Sequence, residues 1–240
     1  MPNVANPIDI LRDIMKKSTM WLAAGAAVVG GILLGKSSPG AKPLDTTKKG
    51  TISWWTDDDF RAFAAMAQRL RMNPADLLIV LYSESELKPW AQNTIEGPFT
   101  AVGLNQITKG GASGWLSEAE RRNLVNLSVG QQLPYVERYF MHIPWVRSGN
   151  VFDSASQVYL AEFAPALLSR GRDPNMVLYS KSSGKSYEDN KLFDQERKGY
   201  ITLGDLGKWV SHLSNRPLFL AALDRLRQVT GDPNLTPRFS

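Results

Sequence analysis

Between Asn73-Pro74 and Pro89 the chain carries an apolar run, Leu77 to Leu81, that ends in a carboxylate, Glu84. Asn73 suits a helix cap and Pro74 the first helical position, so the run reads as a helix. Pro89 marks its end, because proline cannot continue the hydrogen-bond ladder. Glu84 follows Leu77 by seven residues and Leu81 by three, which places all of them on one helix face. Leu77 and Leu81 must face a core. Glu84 is then expected where that core opens into a cleft. Glu86 lies about 200° round the helix from Glu84 and points elsewhere.

Helical signals continue on both sides. Thr56 is an N-cap with Asp57, Asp58 and Asp59 in the first turn, and Phe60, Phe63, Ala64, Ala67 and Leu70 recur at helical spacing. Ser117 with Glu120, and Ser128 with Gln131, have capping-box spacing. Leu133, Val136 and Phe140 give the second of these helices its apolar face. Asp153 is the expected cap of a helix running through Val158, Tyr159 and Phe163 to Pro165, and a last helix starts near Pro217. Alternating strand patterns are few. Residues 92–110 are rich in Gly and Thr and read as a short hairpin or an irregular loop.

The 240 residues suffice for one sizeable domain with appendages. There is no cysteine, which excludes disulfides, thiolate metal sites and a Cys nucleophile. His142 and His212 are the only histidines, too few for a His-rich metal site. No cofactor is expected. A net charge of +5 and a pI near 9.4 suit an anionic polymer such as a membrane surface or a cell wall, and equally suit ordinary solubility. The basic residues do not interleave with aromatics as in a nucleic-acid motif, so nucleic acid is not an expected partner.

Residues 1–19 form a polar lead. Residues 20–35, MWLAAGAAVVGGILLG, carry no charge. As a helix they would span about 24 Å, short of a hydrocarbon core about 30 Å thick. A membrane-inserting anchor, a secretory apolar region and a buried helix all fit this length. The anchor is the expected reading, with the lipid bilayer as its partner. Lysines on both sides (Lys16, Lys17, Lys36, Lys42) leave its orientation unset. Residues 36–50 read as a linker, and the globular domain is expected over residues 51–240.

Two motifs carry a resemblance. The string E-S-x-L-x-P-x-A at residues 84–91, followed by Gly103-Leu104-Asn105-Gln106-Ile107, resembles the signature of soluble lytic transglycosylases in the lysozyme-like superfamily. Together the motifs are specific; either alone is weak. QQLPYVERYF (131–140), VYLAEFAP (158–165) and NKLFDQERKGYITLGDL (190–206) follow in an order similar to muralytic domains carried in bacteriophage particles.

The resemblance implies a mainly α, lysozyme-like (α+β) domain behind an N-terminal hydrophobic helix. It implies cleavage of peptidoglycan glycan strands between N-acetylmuramic acid and N-acetylglucosamine. Glu84 would be the general acid and base. Ser85 would orient it or contact substrate, Gly103 and Gln106 would shape the cleft floor, and Tyr159 would face the acid. The family's Met is replaced by Asn105, and its Ala-Tyr-Asn trio appears as Val158-Tyr159-Leu160, which removes an amide. Glu162 is expected to be solvated, and no second carboxylate stands out. A single carboxylate implies a transglycosylase, in which the sugar closes on its own 6-hydroxyl. A hydrolase would place a second carboxyl group across the scissile bond. The implied setting is virion-associated or membrane-anchored, acting on the bacterial cell wall in the periplasm, with other virion proteins as partners; the alternative reading is an inactive lysozyme-like structural or membrane-tethering virion protein.

Of Trp54, Trp55, Trp90, Trp115 and Trp145, Trp90 is the expected cleft contact, because it follows the first motif directly. Residues 194–205, DQERKGYITLGD, resemble an EF-hand calcium loop with Gly199 at the turn and Ile201 at the central apolar position. Lys198 stands at a ligand position and Asp205 replaces the long-reaching Glu, so the loop is expected to be degenerate and kept for shape.

Overall fold

A computed structural model describes residues 52–94 and 97–239. The polar lead, the apolar segment 20–35 and the linker 36–50 lie outside the described residues. Among the described residues no helix is long and apolar enough to cross a membrane.

The described chain is mainly helical with few strands. Helix α1 (Asp57–Arg69) starts at Thr56, whose side chain closes a capping box with Asp59. Helix α2 (Pro74–Ser85) starts at Asn73, whose Oδ1 accepts from Ala75 N at 2.8 Å. Leu77, Leu78, Ile79, Val80 and Leu81 are all fully buried, so α2 is enclosed on every side and runs through the core.

The helix ends at Ser85, before Pro89 is reached. Glu86 and Leu87 both take left-handed backbone angles, with φ of 52° and 61°. Each such residue stores strain of about 1–3 kcal/mol. Burial of Leu87 and two hydrogen bonds to its carbonyl, from Trp54 Nε1 at 2.8 Å and Trp55 Nε1 at 2.9 Å, hold the turn.

The Gly/Thr-rich region folds as a small antiparallel sheet of β1 (Gln92–Asn93), β2 (Ala101–Val102) and β3 (Ile107–Thr108), in that order. It encloses a minor core of Val102, Ile107, Ala112, Trp115, Leu116 and Leu124. Helices α3 (Glu118–Asn123) and α4 (Val129–Met141) begin with the capping boxes at Ser117 and Ser128. The short α5 (Pro144–Arg147) follows.

Helix α6 (Ala155–Phe163) is capped by Ser154, not by Asp153. Ser154 has the extended backbone of a cap, and its hydroxyl accepts from Gln157 N. Every residue of α6 is buried, and α6 packs against α2. Strands β4 (Val177–Ser180) and β5 (Tyr200–Thr202) pair antiparallel around α7 (Lys185–Asn190). Helices α8 (Leu203–Leu213) and α9 (Pro217–Thr230) close the chain. The tail then returns to α2. Asp76, fully buried, accepts from Arg238 Nε at 2.8 Å and from its backbone N at 2.6 Å.

Candidate active site

Glu84 occupies the last turn of α2, beside the strained turn at Glu86-Leu87. The residue is partly exposed, yet its Oε1 is enclosed and has no hydrogen-bond partner among the described residues. Burial pushes the carboxyl up to about 7, from an ordinary 4.5, and a hydrogen bond from Tyr159 opposes that rise. A carboxyl group poised there can hold a proton near neutral pH and still release it.

Tyr159 on α6 is fully buried, so it reaches Glu84 and not solvent. Its hydroxyl is the end of a chain of donors. Trp209 Nε1 donates to Ser83 Oγ at 3.0 Å, and Ser83 Oγ donates to Tyr159 Oη at 3.4 Å. With its acceptor side occupied, the Tyr159 hydroxyl is free to donate to Glu84.

Glu162, three residues beyond Tyr159, lies in the same place. The expectation that it is solvated is overturned: it is 6% exposed. A helix buried on all sides leaves it no wet face. Burial, then the charge of Glu84, push its carboxyl well above the usual carboxylate range, while Tyr139 and Asn105 favour the charged form. Glu162 Oε1 and both amide atoms of Asn105 are enclosed without a hydrogen bond among the described residues. Asn105 is thus near the carboxyl but not placed to close a bond to it. It stands in the Gly103–Ile107 turn, on the segment facing α6 across the site. Leu160, where the family motif has its amide, packs instead near Gly171.

The other motif residues build the turn. Gly103 has φ of +76°, and a Cβ there would stand 2.7 Å from Gln132 Oε1. Gln106 turns its amide inward, donating to Gly103 O at 2.9 Å and Ala91 O at 3.3 Å. It holds the turn together through the backbone rather than by presenting its amide outward. Ser85 donates to Leu81 O at 3.0 Å, one turn back, so its hydroxyl is engaged by its own helix and does not orient Glu84. Trp90 is 40% exposed and packs edge-on against Trp54, with ring centroids 5.4 Å apart. Trp90 is the exposed member of this pair, and Trp54 is partly buried against the core.

Sequence reasoning passed over Gln132. Its Oε1 accepts from Leu104 N at 2.9 Å, and its Nε2 donates to Pro89 O at 2.6 Å and Leu124 O at 2.7 Å. One amide therefore joins the segment after Glu84, the Gly103 turn and the minor core. A readable signal existed: Gln132 shares a helix face with Val136 and Phe140, where a polar residue needs buried partners.

In the 194–205 loop, Lys198 Nζ lies 2.9 Å from both oxygens of Asp205. Asp194 accepts from Lys198 N, Gly199 N and Tyr187 Oη at 2.8, 2.6 and 2.7 Å. The loop is closed by an ammonium group and backbone amides. Among the described residues no three His, Cys, Asp or Glu side chains gather as a metal site.

No protein-family model matches the chain, and neither a curated protein nor a solved structure matches it.

Proposed function

We propose that the chain is a lysozyme-like glycosidase that cleaves the glycan strands of peptidoglycan, with Glu84 as general acid and base. The observation that carries this reading is the Glu84 carboxyl itself. It sits at the end of a core helix, enclosed at Oε1, near pH 7 in its proton affinity, with Tyr159 beside it. The proton passes from Glu84 to the glycosidic oxygen as the bond to the sugar breaks. The paired motifs at 84–91 and 103–107 support peptidoglycan as the substrate, and exposed Trp90, packed on Trp54, offers a sugar-stacking surface after the end of α2.

The transglycosylase route rests on a single carboxyl group: Glu84 then acts as base while the sugar closes on its own 6-hydroxyl. Glu162, buried beside Glu84, favours a second route, hydrolysis. The motif order that resembles phage muralytic domains supports a virion-borne enzyme that opens the host wall during infection. The apolar segment 20–35 supports attachment to a bilayer.

Zymography on purified peptidoglycan tests the reading, with Glu84→Gln as control. Clearing by the wild-type chain is expected, and its loss in the variant. Clearing that survives the substitution removes Glu84 from the mechanism.

A further inference from the structure

Helices α2 and α6 pack against each other, each carries a glutamate, and the charge of Glu84 on α2 acts on the carboxyl group of Glu162 on α6. Neither glutamate is matched to a cation among the described ion pairs, although the chain has an excess of basic residues. Four polar atoms there make no hydrogen bond among the described residues: Glu84 Oε1, Glu162 Oε1, Asn105 Oδ1 and Asn105 Nδ2. An unpaired buried polar group costs about 1–3 kcal/mol. A fold that leaves so many unpaired, while it satisfies both ends of the Gln132 amide nearby, reserves them for something that arrives. Asn105 and Glu162 are also the side chains by which this site differs from a centre built on one glutamate.

We propose that Glu162 is a second catalytic carboxyl group, paired with Glu84, and that the chain therefore cleaves its glycan by hydrolysis. The inference rests on the glycosidase reading and selects its route. One carboxyl of the pair gives its proton to the leaving oxygen as the C–O bond breaks. Water adds to the anomeric carbon, and its proton passes to the other carboxyl. The pair ends the cycle with as many protons as it began, and the proton crosses back between the two groups. Water reaches the pair from the side of Glu84, which is the partly exposed member. Asn105, with a donor and an acceptor both unused, holds that water or the sugar against Glu162. Tyr139 and Tyr159 confine the pair on the protein side.

Mass spectrometry of the fragments that the full chain releases from purified sacculi tests the pairing. Hydrolysis leaves reducing ends, each one water heavier than the 1,6-anhydro ends of intramolecular transfer. Reducing ends are expected from the wild-type chain, with their release lowered roughly 100-fold or more in Glu162→Gln. Anhydro ends alone, beyond those in an untreated sample, would overturn the proposal and leave the glycosidase reading intact. So would reducing ends released by Glu162→Gln at the wild-type rate. No fragments of either kind would overturn both. The wild-type product decides between the routes even if Glu162→Gln does not fold.

Discussion

Tyr159 faces the carboxyl group of Glu84, and Ser83 and Trp209 stand behind its hydroxyl in line. The contact favours the charged carboxyl and so works against burial, which favours the neutral one. The proton affinity of Glu84 is the balance of these two effects. A group at about 7 remains protonated enough to act as an acid near neutral pH, so activity should fall as pH rises through that value.

Tyr159→Phe removes one side of the balance. The Glu84 carboxyl then loses a hydrogen bond to its charged form, and its proton affinity rises. The alkaline limb of the pH–rate profile should move upward, by about one unit if the bond contributes about 1.5 kcal/mol. Maximal rate should drop at the same time, because the carboxyl is less firmly aimed. An unmoved limb would mean that Tyr159 does not touch the catalytic proton. Trp209→Phe acts one step further back and should move the limb in the same direction by less.

The buried glutamates should make the protein less stable as pH rises. Folding lifts Glu84 from 4.5 to about 7, so the folded state binds more protons than the unfolded chain between those values. Stability is fully present below the unfolded value and declines across the window. Glu162 is raised for the same reason and extends the decline upward. Glu84→Gln has no charge to bury. It should melt above wild type near pH 8, by an amount on the order of 2–3 kcal/mol, and level with wild type near pH 4, where both side chains are neutral. Equal melting at both pH values would show that the carboxyl is not desolvated.

Much of the helical frame was legible in the sequence because its signals are local. The caps at Thr56, Asn73, Ser117 and Ser128 each depend on residues within three positions, and each is found in place. Asp153 and Ser154 are both good caps, and only the backbone angles separate them. The end of α2 was less legible. Pro89 is a strong stop, but two tryptophans more than thirty residues away fix the turn at Leu87 first.

The site divides the same way. The place of Glu84 at the edge of the core could be read from helix phase. Glu162 could not be placed by periodicity, since a helix buried on all sides has no polar face to contrast with. Its surroundings include Glu84, Tyr139 and Asn105, all distant in sequence, and nothing near it in sequence reports them.

The tail return should be a major stabilising contact. Asp76 is wholly buried at the start of α2, and Arg238 is the cation against it. Arg238→Ala leaves the carboxylate enclosed without a partner, which typically costs about 3–5 kcal/mol. Because Asp76 belongs to the first turn of the helix that ends in Glu84, activity at elevated temperature should fall along with the melting point. Asp76→Asn combined with Arg238→Ala should recover part of the loss, since the charge that needs compensation is then gone. A double variant no better than Arg238→Ala alone would assign the contact to shape rather than charge.

Lys198 makes the last testable point. Its ammonium group contacts both oxygens of Asp205, a side chain that also caps α8 through Thr202. Tethered to the loop, this cation is present whatever the solution contains. Calcium at about 1 mM, a concentration that fills weak loops of this type, should leave the melting point of the wild-type chain unchanged, and a chelator should do the same. Lys198→Met removes the internal cation while it keeps most of the side-chain volume. Asp205 is then buried without its partner, and stability should fall by about 1–3 kcal/mol. A calcium-dependent rise in the wild-type melting point would mean that the ammonium yields its place to a metal, and the loop would then be a working site rather than a self-sufficient clasp between β5 and α8.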